Sequence, residues 1–291
     1  MTFAHRFISR LPRGWGEHCA GFLRRSPLLR PAYQRLASSL KNHDGVVLGG
    51  PSQGLRFNSG QSDSRFLLGT FELALQKILS SYLQPGMVFY DAGANVGFLS
   101  MLAARLVGTD GSVHCFEPLP KNVEQIRHNT ALNDFQGIVM VHSVALGQTD
   151  STASFRVSEQ PTFGALSDSP MRVDKQIDTI EVSVRRLDSL FGQEQFRPPD
   201  LIKVDVEGSE VDFLAGSHGV IGRFRPLLAL ELHGTNQGVA SWLRQLSYAA
   251  DVVGGGTLEE APWAALVIAT PKEQVKARAL VESICKQFGG R

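Results

Sequence analysis

The stretch that most constrains this chain is residues 87–97, M-V-F-Y-D-A-G-A-N-V-G, where an apolar run ends on Asp91. Such a run, followed at once by glycine and asparagine, predicts a buried strand that turns sharply into a helix. Strand and helix patterns then alternate from Val88 to Leu132, and again from Leu201 to Leu246. This alternation is typical of βαβ units with a parallel sheet, and 291 residues suffice for one such domain.

A basic segment precedes this domain. Residues 1–41 carry eight Lys or Arg and one acid, a net charge of +7, whereas the whole chain carries +1. The rest of the chain therefore carries a net charge of −6, which argues against nucleic acid as a partner of the main body. We interpret residues 1–45 as a helical extension and 46–291 as the main domain. The alternative for residues 1–41 is a basic amphipathic contact with an anionic membrane or a partner.

Residues 150–188 interrupt the strand and helix rhythm. Two alternating stretches flank a Ser/Thr/Pro-rich loop, Ser158–Ser169, which predicts an antiparallel hairpin over one edge of the sheet. We expect this insertion to lie on the substrate side, with Phe163 as a candidate lid residue.

Cysteine use and hydropathy bear on the compartment. The three cysteines are far apart, and no apolar stretch reaches the length of a membrane span. We therefore expect a cytoplasmic protein, although the Arg-rich, acid-poor N-terminus is also typical of organellar transit peptides.

The residues after Asp91 predict a loop on which a ligand lies against bare backbone. Gly93 and Gly97 permit unusual torsions, and Asn95 tolerates the left-handed region. The loop does not contain the dinucleotide fingerprint G-x-G-x-x-G, and the Asp91 carboxylate would repel a pyrophosphate. A cationic ligand is favoured, and S-adenosyl-L-methionine fits because it carries a sulfonium and an ammonium but no phosphate.

The second predicted strand ends on C-F-E-P, which places Glu117 twenty residues after Gly97. An acid at this strand tip is positioned to accept hydrogen bonds from ribose hydroxyls. Taken alone, Asp91 is equally well explained as a helix N-cap and Glu117 as a surface acid. Together, at strand ends that border one crevice, they favour a ribose-containing ligand.

Several short motifs follow one another between Gly69 and Gly234. They are G-T-F-E (69–72), D-A-G-A-N-V-G-F-L-S (91–100), F-E-P (116–118), V-A-L-G (144–147), R-L-D-S-L (186–190), L-I-K-V-D-V-E-G-S-E (201–210) and R-P-L-L-A-L-E-L-H-G (225–234). In this order they make the chain similar to the FkbM family of S-adenosylmethionine-dependent methyltransferases.

The resemblance implies a fold and an activity. The fold would be a Rossmann-like class I methyltransferase: an α/β domain with a mostly parallel seven-stranded sheet, helices on both faces and an antiparallel last strand. The activity would be methyl transfer to a hydroxyl of a small molecule or a sugar. The resemblance also implies cofactor contacts, with the methionine part at Asp91, Gly93, Asn95 and Gly97, the ribose at Glu117 and the adenine at Ala145 and Leu146.

Charged residues of one parity mark the predicted reacting end. Lys203, Asp205 and Glu207 alternate along one strand, and Glu231 and His233 alternate along the next. Deprotonating a hydroxyl acceptor requires a nearby base. We place Asp205 at the reacting methyl group, with Glu207 and His233 handling the proton and Lys203 holding the carboxylates.

Two other readings of these charges stay open. Lys203 and Asp205 can form a purely structural ion pair, since buried charges need partners. Alternatively, Asp205 and Glu231 can hold a divalent cation that orients a diol. The sequence shows no third acid at suitable spacing, so no metal is assigned.

Three further acids have less defined roles. Glu72 falls in a predicted helix, Phe66–Leu83, and the resemblance implies that it lies near the amino group of the cofactor. Glu210 and Asp212 are expected to charge the first turn of a helix that Ser209 caps.

Two functions of other classes remain as alternatives. One is a dinucleotide-dependent oxidoreductase, and the other is a cofactor-binding scaffold without chemistry.

Overall fold

The computed structural model describes most of the main domain. The residues described are 42–63, 65–158, 164–166, 169, 176–192 and 196–288. The basic segment of residues 1–41 and the candidate lid residue Phe163 lie outside the described residues, so the expectations about them remain predictions.

Helices and strands alternate through most of this length. The helices are α1 (Arg65–Leu68), α2 (Leu73–Tyr82), α3 (Phe98–Val107), α4 (Pro120–Leu132), α5 (Leu187–Leu190), α6 (Glu210–Gly216), α7 (His218–Phe224), α8 (Asn236–Gln245) and α9 (Val275–Phe288). The strands are β1 (Gly45–Val46), β2 (Arg56–Phe57), β3 (Val88–Ala92), β4 (Ser112–Phe116), β5 (Val139–His142), β6 (Ala145–Leu146), β7 (Ser151–Ser158), β8 (Gly164–Leu166), β9 (Gln176–Arg185), β10 (Leu201–Val204), β11 (Leu227–Leu232), β12 (Tyr248–Val252) and β13 (Ala265–Pro271).

The main sheet confirms the predicted architecture. Among the described residues it has seven strands in the order β12-β13-β11-β10-β3-β4-β5. The five strands from β11 to β5 are parallel, and β13 is antiparallel to β11. From β3 the chain continues to β4 and β5 on one side of β3, and it later returns to β10 on the other side. The strand order therefore reverses between β3 and β10. In open parallel sheets, ligands bind at such a reversal, beyond the carboxyl ends of the strands.

Helices cover both faces of the main sheet, as predicted. On one face the buried side chains of α2, α3 and α9 form one apolar core with the sheet. On the other face α5, α6, α7 and α8 contribute to a second core. The parallel strands are therefore buried on both sides, which explains why they read as nearly continuous apolar runs. No described helix is long and apolar enough to cross a membrane.

The single helix predicted over Phe66–Leu83 is wrong, because the chain breaks between α1 and α2. Gly69 adopts a φ of 73°, and Glu72 adopts a φ of 44°. A Cβ on Gly69 would lie 1.9 Å from the carbonyl oxygen of Gly49, so only glycine fits. The helical spacing continues across this break, which is why the sequence pattern concealed it. The kink turns Glu72 toward the carboxyl edge of the sheet.

The inserted hairpin is present but forms part of its own sheet. Strands β7 and β9 pair antiparallel within a four-stranded sheet of order β6-β9-β7-β8. Strand β6 pairs with β9 in parallel. Phe155 and Val182 of this second sheet pack on Leu119, just beyond β4. The insertion is thereby fixed beside the Glu117 end of the crevice.

Candidate active site

The loop after β3 is shaped by left-handed backbone at Gly93, Asn95 and Gly97, with φ values of 76°, 53° and 81°. The sequence suggested that glycine at position 93 lets a ligand approach. In the structure, a Cβ on Gly93 would lie 1.8 Å from the carbonyl oxygen of Asp205. Glycine is therefore required first for packing of this loop against the chain beyond β10. Gly97 packs against Ile126.

Glu117 follows β4, and its hydrogen bonds connect the carboxyl ends of β3 and β4. One carboxylate oxygen accepts a hydrogen bond from the backbone N–H of Asn95 at 2.9 Å. The other accepts from the backbone N–H of Leu119 at 3.0 Å and from the side chain of Asn122 at 3.1 Å. Burial raises the pKa of Glu117 to about 7, although these three hydrogen bonds oppose the rise. Glu117 is thus held rigidly at the crevice and titrates near neutral pH.

Asp91 and Lys203 form a buried ion pair beneath the loop. The Asp91 carboxylate accepts a hydrogen bond from Ser100 Oγ at 2.5 Å and lies 3.3 Å from Lys203 Nζ. Lys203 Nζ also donates to the Gly93 carbonyl at 2.7 Å and lies 3.4 Å from Asp205. Burial disfavours the charge on Lys203, but Asp91 and Asp205 outweigh it and raise the pKa of Lys203 above its ordinary value. Lys203 therefore links the ends of β3 and β10.

His233, just beyond β11, is surrounded by carboxylates. Its Nδ1 lies 3.0 Å from Glu210, and its Nε2 lies 3.3 Å from Glu207 and 3.7 Å from Glu231. Glu210 is fully buried and also accepts from the hydroxyl of Thr235 at 2.6 Å. Burial disfavours the imidazolium, but hydrogen bonds to Glu210 and Glu231 raise the pKa of His233 to about 11. His233 is therefore protonated at neutral pH.

Glu210 and Asp212 lie in the first turn of α6, as expected, and Ser209 occupies the N-cap position without a side-chain capping hydrogen bond. Glu210 begins α6, but its carboxylate turns inward and accepts hydrogen bonds from its partners at the site. One of these is the backbone N–H of Gly208, at 2.9 Å. The sequence motif ending in E-G-S-E contained this residue, but its contact with His233 depends on where β11 lies.

Acids outnumber basic side chains at this edge of the sheet. Burial and the neighbouring Glu231 raise the pKa of Glu72 to about 8, and burial and Asp205 raise the pKa of Glu207 to about 8. Burial, followed by Asp205, also raises the pKa of Glu231. Part of the cluster therefore retains protons near neutral pH, because burial disfavours the charged carboxylates and their negative charges repel one another. In all, the carboxylates are Glu72, Asp91, Asp205, Glu207, Glu210 and Glu231, and the basic groups in contact with them are Lys203 and His233.

Two cavities meet at this cluster, and both are bordered by Asn95 and Asp205. The larger, about 600 Å³, extends past Glu117 to Ala145 and Leu146. Its other lining residues are Gly93, Phe116, Pro118, Leu119, Phe155, Leu166, Val206, Glu207 and Ser209. The smaller, about 320 Å³, is lined by Phe66, Phe71, Glu72, Asp91, Ala94, Val96, Phe98, Leu99 and Lys203 together with the two shared residues. A volume of about 300–1,000 Å³ is usual for a small-molecule site.

Gly97 lines neither cavity and packs against Ile126, and the other predicted site residues fall into three groups. Those along the larger cavity are Gly93, Asn95, Glu117, Ala145, Leu146, Asp205 and Glu207. Asp91 and Lys203 lie at the smaller cavity, and His233 reaches the larger one through Glu207.

Sequence reasoning missed Ser100, Glu210 and two residues of the insertion, Phe155 and Leu166. Ser100 is the last residue of the motif D-A-G-A-N-V-G-F-L-S (91–100), so the motif held a signal for it. Phe155 and Leu166 line the cavity from the second sheet, and alternation along a hairpin gives no sign of such a distant partner.

The open metal alternative gains a possible third ligand. Asp205, Glu231 and His233 each offer a ligand atom, and these atoms lie within 4.8 Å of one another. His233, however, carries a proton at neutral pH, and Lys203 already lies 3.4 Å from Asp205. A divalent cation bound here would have to displace the proton on His233 and compete with Lys203 for Asp205.

The strand order, together with acids at the carboxyl ends of β3, β4 and β10, defines a class I methyltransferase fold. The sequence matches the model of the methyltransferase FkbM domain over residues 91–251, more than half of its length. The chain therefore belongs to the FkbM methyltransferase family.

Two relatives are similar to part of the chain. Methyltransferase 1 of Beauveria bassiana (strain ARSEF 2860) is 28% identical over 142 residues, which cover 43% of this chain and 56% of that protein. The 31-O-demethyl-FK506 methyltransferase FkbM of Streptomyces tacrolimicus is 30% identical over 158 residues, which cover 46% of this chain and 60% of that protein. The chain thus spans between 56% and 60% of the length of these relatives.

Solved structures are similar at lower identity. The methyltransferase FkbM from Methylobacillus flagellatus KT has a TM-score of 0.44 at 15% identity, covering 91% of this chain and 58% of that chain. A SAM-dependent O-methyltransferase from Thermotoga maritima has a TM-score of 0.42 at 13% identity, covering 68% and 63%. Both scores are below 0.5, so the fold assignment rests on the strand order and register of this chain.

Proposed function

We propose that the protein transfers a methyl group from S-adenosyl-L-methionine to a hydroxyl of a small molecule or a sugar. The observation that carries the proposal is the excess of carboxylates at the reversal of strand order, beside a cavity that reaches Glu117. Such a site favours a ligand with positive charge at one end and a ribose at the other.

The residues present fit this cofactor. Asp205 Oδ1 is buried without a hydrogen-bond partner among the described residues, and it lies where the two cavities meet. An unpaired buried carboxylate oxygen is costly, and a cationic ligand beside it would remove that cost. Glu117 would hold the ribose, because its Oε2 accepts one hydrogen bond within the protein and retains a lone pair.

The remaining contacts can be divided between the two cavities. Ala145 and Leu146 would border the adenine in the larger cavity, which Phe155 also lines. The methionine part would lie toward the smaller cavity, near Asn95, with Glu72 available to its ammonium group.

The same charges argue against a dinucleotide. A pyrophosphate carries two negative charges, and at this edge it would meet Asp205 together with the ionised fraction of Glu72 and Glu207. Like charges at short range in a partly buried site repel strongly. The oxidoreductase alternative is therefore disfavoured by electrostatics as well as by the missing fingerprint.

When bound, the cofactor supplies an electrophilic methyl group on a sulfonium. The chain must then align the acceptor and remove its proton. Glu207 is suited to take the proton, because a pKa of about 8 gives a carboxylate the basicity that an ordinary one lacks. Asp205, 3.4 Å from Lys203 Nζ, would lie at the reacting methyl group and favour positive charge there.

His233 would position the base and not act as one. With a pKa of about 11 it stays protonated, and its Nε2 holds Glu207 at 3.3 Å. Glu210 fixes the other ring nitrogen, so the imidazolium has a defined orientation. The sequence suggested that His233 and Glu207 share proton handling, and the geometry favours Glu207 for the transfer. We assign no metal to the mechanism, since Lys203 and His233 supply the positive charge.

Cofactor binding should depend on the ionisation of Glu117. Its carboxylate has a pKa of about 7, and only the ionised form accepts fully from ribose hydroxyls. Below that pH the group is protonated, so affinity should fall as pH decreases. Between about pH 8 and about pH 6 we expect the dissociation constant for S-adenosylmethionine to rise about tenfold from this group. Isothermal titration calorimetry across this range measures the change.

A Glu117→Gln variant isolates this contribution. Glu72 and Glu207 also titrate, near pH 8, and their ionisation favours a cation in the same direction. The variant should bind more weakly at high pH and lose the component centred near pH 7. Glu259→Gln, which alters a surface acid paired with Arg244, is the matched control and should keep the wild-type profile. Identical pH profiles for wild type and Glu117→Gln would contradict the assignment of Glu117 to the ribose.

A further inference from the structure

An exposed indole lies beside the acidic cluster. Trp263 is 58% exposed, whereas the other large exposed apolar side chains of the described residues, Ile177 and Val275, belong to the second sheet and to the start of α9. The Trp263 ring meets His233 edge to face, with ring centroids 5.7 Å apart and planes at 75°. The largely exposed indole of Trp263 therefore lies in solvent directly next to His233, the residue that positions the proposed base.

The indole is held in place by the backbone beneath it. A Cβ on Gly234 would lie 3.0 Å from Trp263 Cζ3, so glycine allows the ring to lie close to the chain. The next residue, Ala264, donates its backbone N–H to Leu232 at 2.8 Å, which continues the pairing of β11 with β13. Trp263 is therefore anchored at the end of a regular ladder and presents a fixed apolar face.

The polar groups beside this face are mostly hydrogen-bond acceptors. Glu231 and Glu207 lie 3.7 Å and 3.3 Å from His233 Nε2, and their side chains are 24% and 18% exposed. Both carboxyl groups have a raised pKa, so each is partly protonated near neutral pH, but each offers hydrogen-bond acceptor oxygens in either state. The surface thus combines a flat apolar face with acceptors for hydroxyl groups.

The charge of the site restricts the class of acceptor further. The acidic cluster repels anionic groups, so a phosphorylated or carboxylated acceptor is disfavoured. A wholly apolar acceptor would bury the carboxylates without hydrogen bonds, which is costly. A neutral ring with an apolar C–H face and hydroxyls at its edge satisfies both requirements, because the face stacks on an indole and the hydroxyls donate to acids.

We propose that Trp263, with Glu231 and Glu207, forms an acceptor subsite for a neutral sugar ring. This proposal rests on the proposed function, since it places the sugar hydroxyl next to the reacting end of that site. The indole would set the position of the ring, and Glu231 would accept from a hydroxyl next to the one that is methylated.

Saturation-transfer NMR on the full chain with S-adenosylhomocysteine tests the subsite. The probes are neutral methyl hexopyranosides, the matching methyl glycosides of uronic acids, and cyclohexanol. We expect saturation transfer to ring C–H protons of at least one neutral glycoside, and weaker or no transfer to its uronic acid and to cyclohexanol. Trp263→Ala should raise the dissociation constant of that glycoside about tenfold, with Trp263→Phe between the two.

The control variant is Val275→Ala, which shortens another exposed apolar side chain and should bind as wild type does. Affinity for S-adenosylmethionine and the thermal midpoint should stay unchanged in Trp263→Ala, which separates a ligand contact from a structural role. Unaltered glycoside binding in Trp263→Ala, no binding of any neutral glycoside, or equal binding of the uronic acid would each overturn the proposal. Loss of S-adenosylmethionine binding by the wild-type protein would instead contradict the proposed function.

Discussion

Methyl transfer by an Asp205→Asn variant is expected to fall about 100-fold or more, since removing a charge aimed at a reacting centre typically costs that much. The variant should remain folded, because Lys203 keeps its ion pair with Asp91 at 3.3 Å and its hydrogen bond to the Gly93 carbonyl at 2.7 Å. The loss should appear in kcat and also in a weaker affinity for S-adenosylmethionine, because Asp205 is proposed to lie beside the positively charged sulfur.

Transfer of a labelled methyl group to a neutral glycoside that the wild-type protein methylates measures the effect. Asp110→Asn is the matched control, because Asp110 is exposed just before β4, at the opposite edge of the sheet. Its activity should equal that of the wild type. An Asp205→Asn protein that retains more than half of the wild-type rate would show that Asp205 only pairs with Lys203, which is the structural reading of this ion pair.

Gly93→Ala is expected to have the largest effect on stability. The new Cβ would lie 1.8 Å from the Asp205 carbonyl oxygen, which is backbone and has no rotamer by which to move away. The residue also has a φ of 76°, which side-chain-bearing residues rarely adopt. Overpacking and backbone strain together should lower the free energy of unfolding by about 3 kcal/mol or more.

Gly54→Ala separates the two causes in this prediction. Gly54 has a φ of 89°, but a Cβ there meets nothing within 4 Å, so only strain of about 1 kcal/mol is expected. Urea unfolding of both variants gives the comparison, and calorimetry shows whether a folded Gly93→Ala protein still binds S-adenosylmethionine. Equal stability losses in the two variants would mean that contact of the β3 loop with Asp205 is unimportant.

Much of the fold followed from local sequence patterns. The strand that contains Asp91 and the strand that ends before Glu117 are each set by an apolar run followed by a turn. The parallel sheet followed because such runs alternate with helical spacing. The grouping of Lys203 and Asp205 also followed, although β10 ends at Val204 and Glu207 lies in a left-handed turn with a φ of 52°.

The parts that escaped prediction depend on contacts between distant segments. Glu72 faces the site because Gly69 packs on Gly49 and breaks a helix whose apolar spacing looked continuous. The sequence predicts that Glu210 charges the first turn of a helix, whereas its contact with His233 at 3.0 Å depends on the position of β11. Trp263 reaches His233 only through the antiparallel pairing of β13 with β11, and no local periodicity reports a pairing of that kind.

The central claim is that the carboxylate-rich reversal point binds a cofactor with a positively charged sulfur. Isothermal titration calorimetry of the full chain with S-adenosylmethionine and, separately, with NAD tests it most directly. The account predicts saturable binding of S-adenosylmethionine and no measurable heat with NAD, because the acids around Asp205 attract a sulfonium and repel a pyrophosphate. Tighter binding of NAD than of S-adenosylmethionine would contradict it.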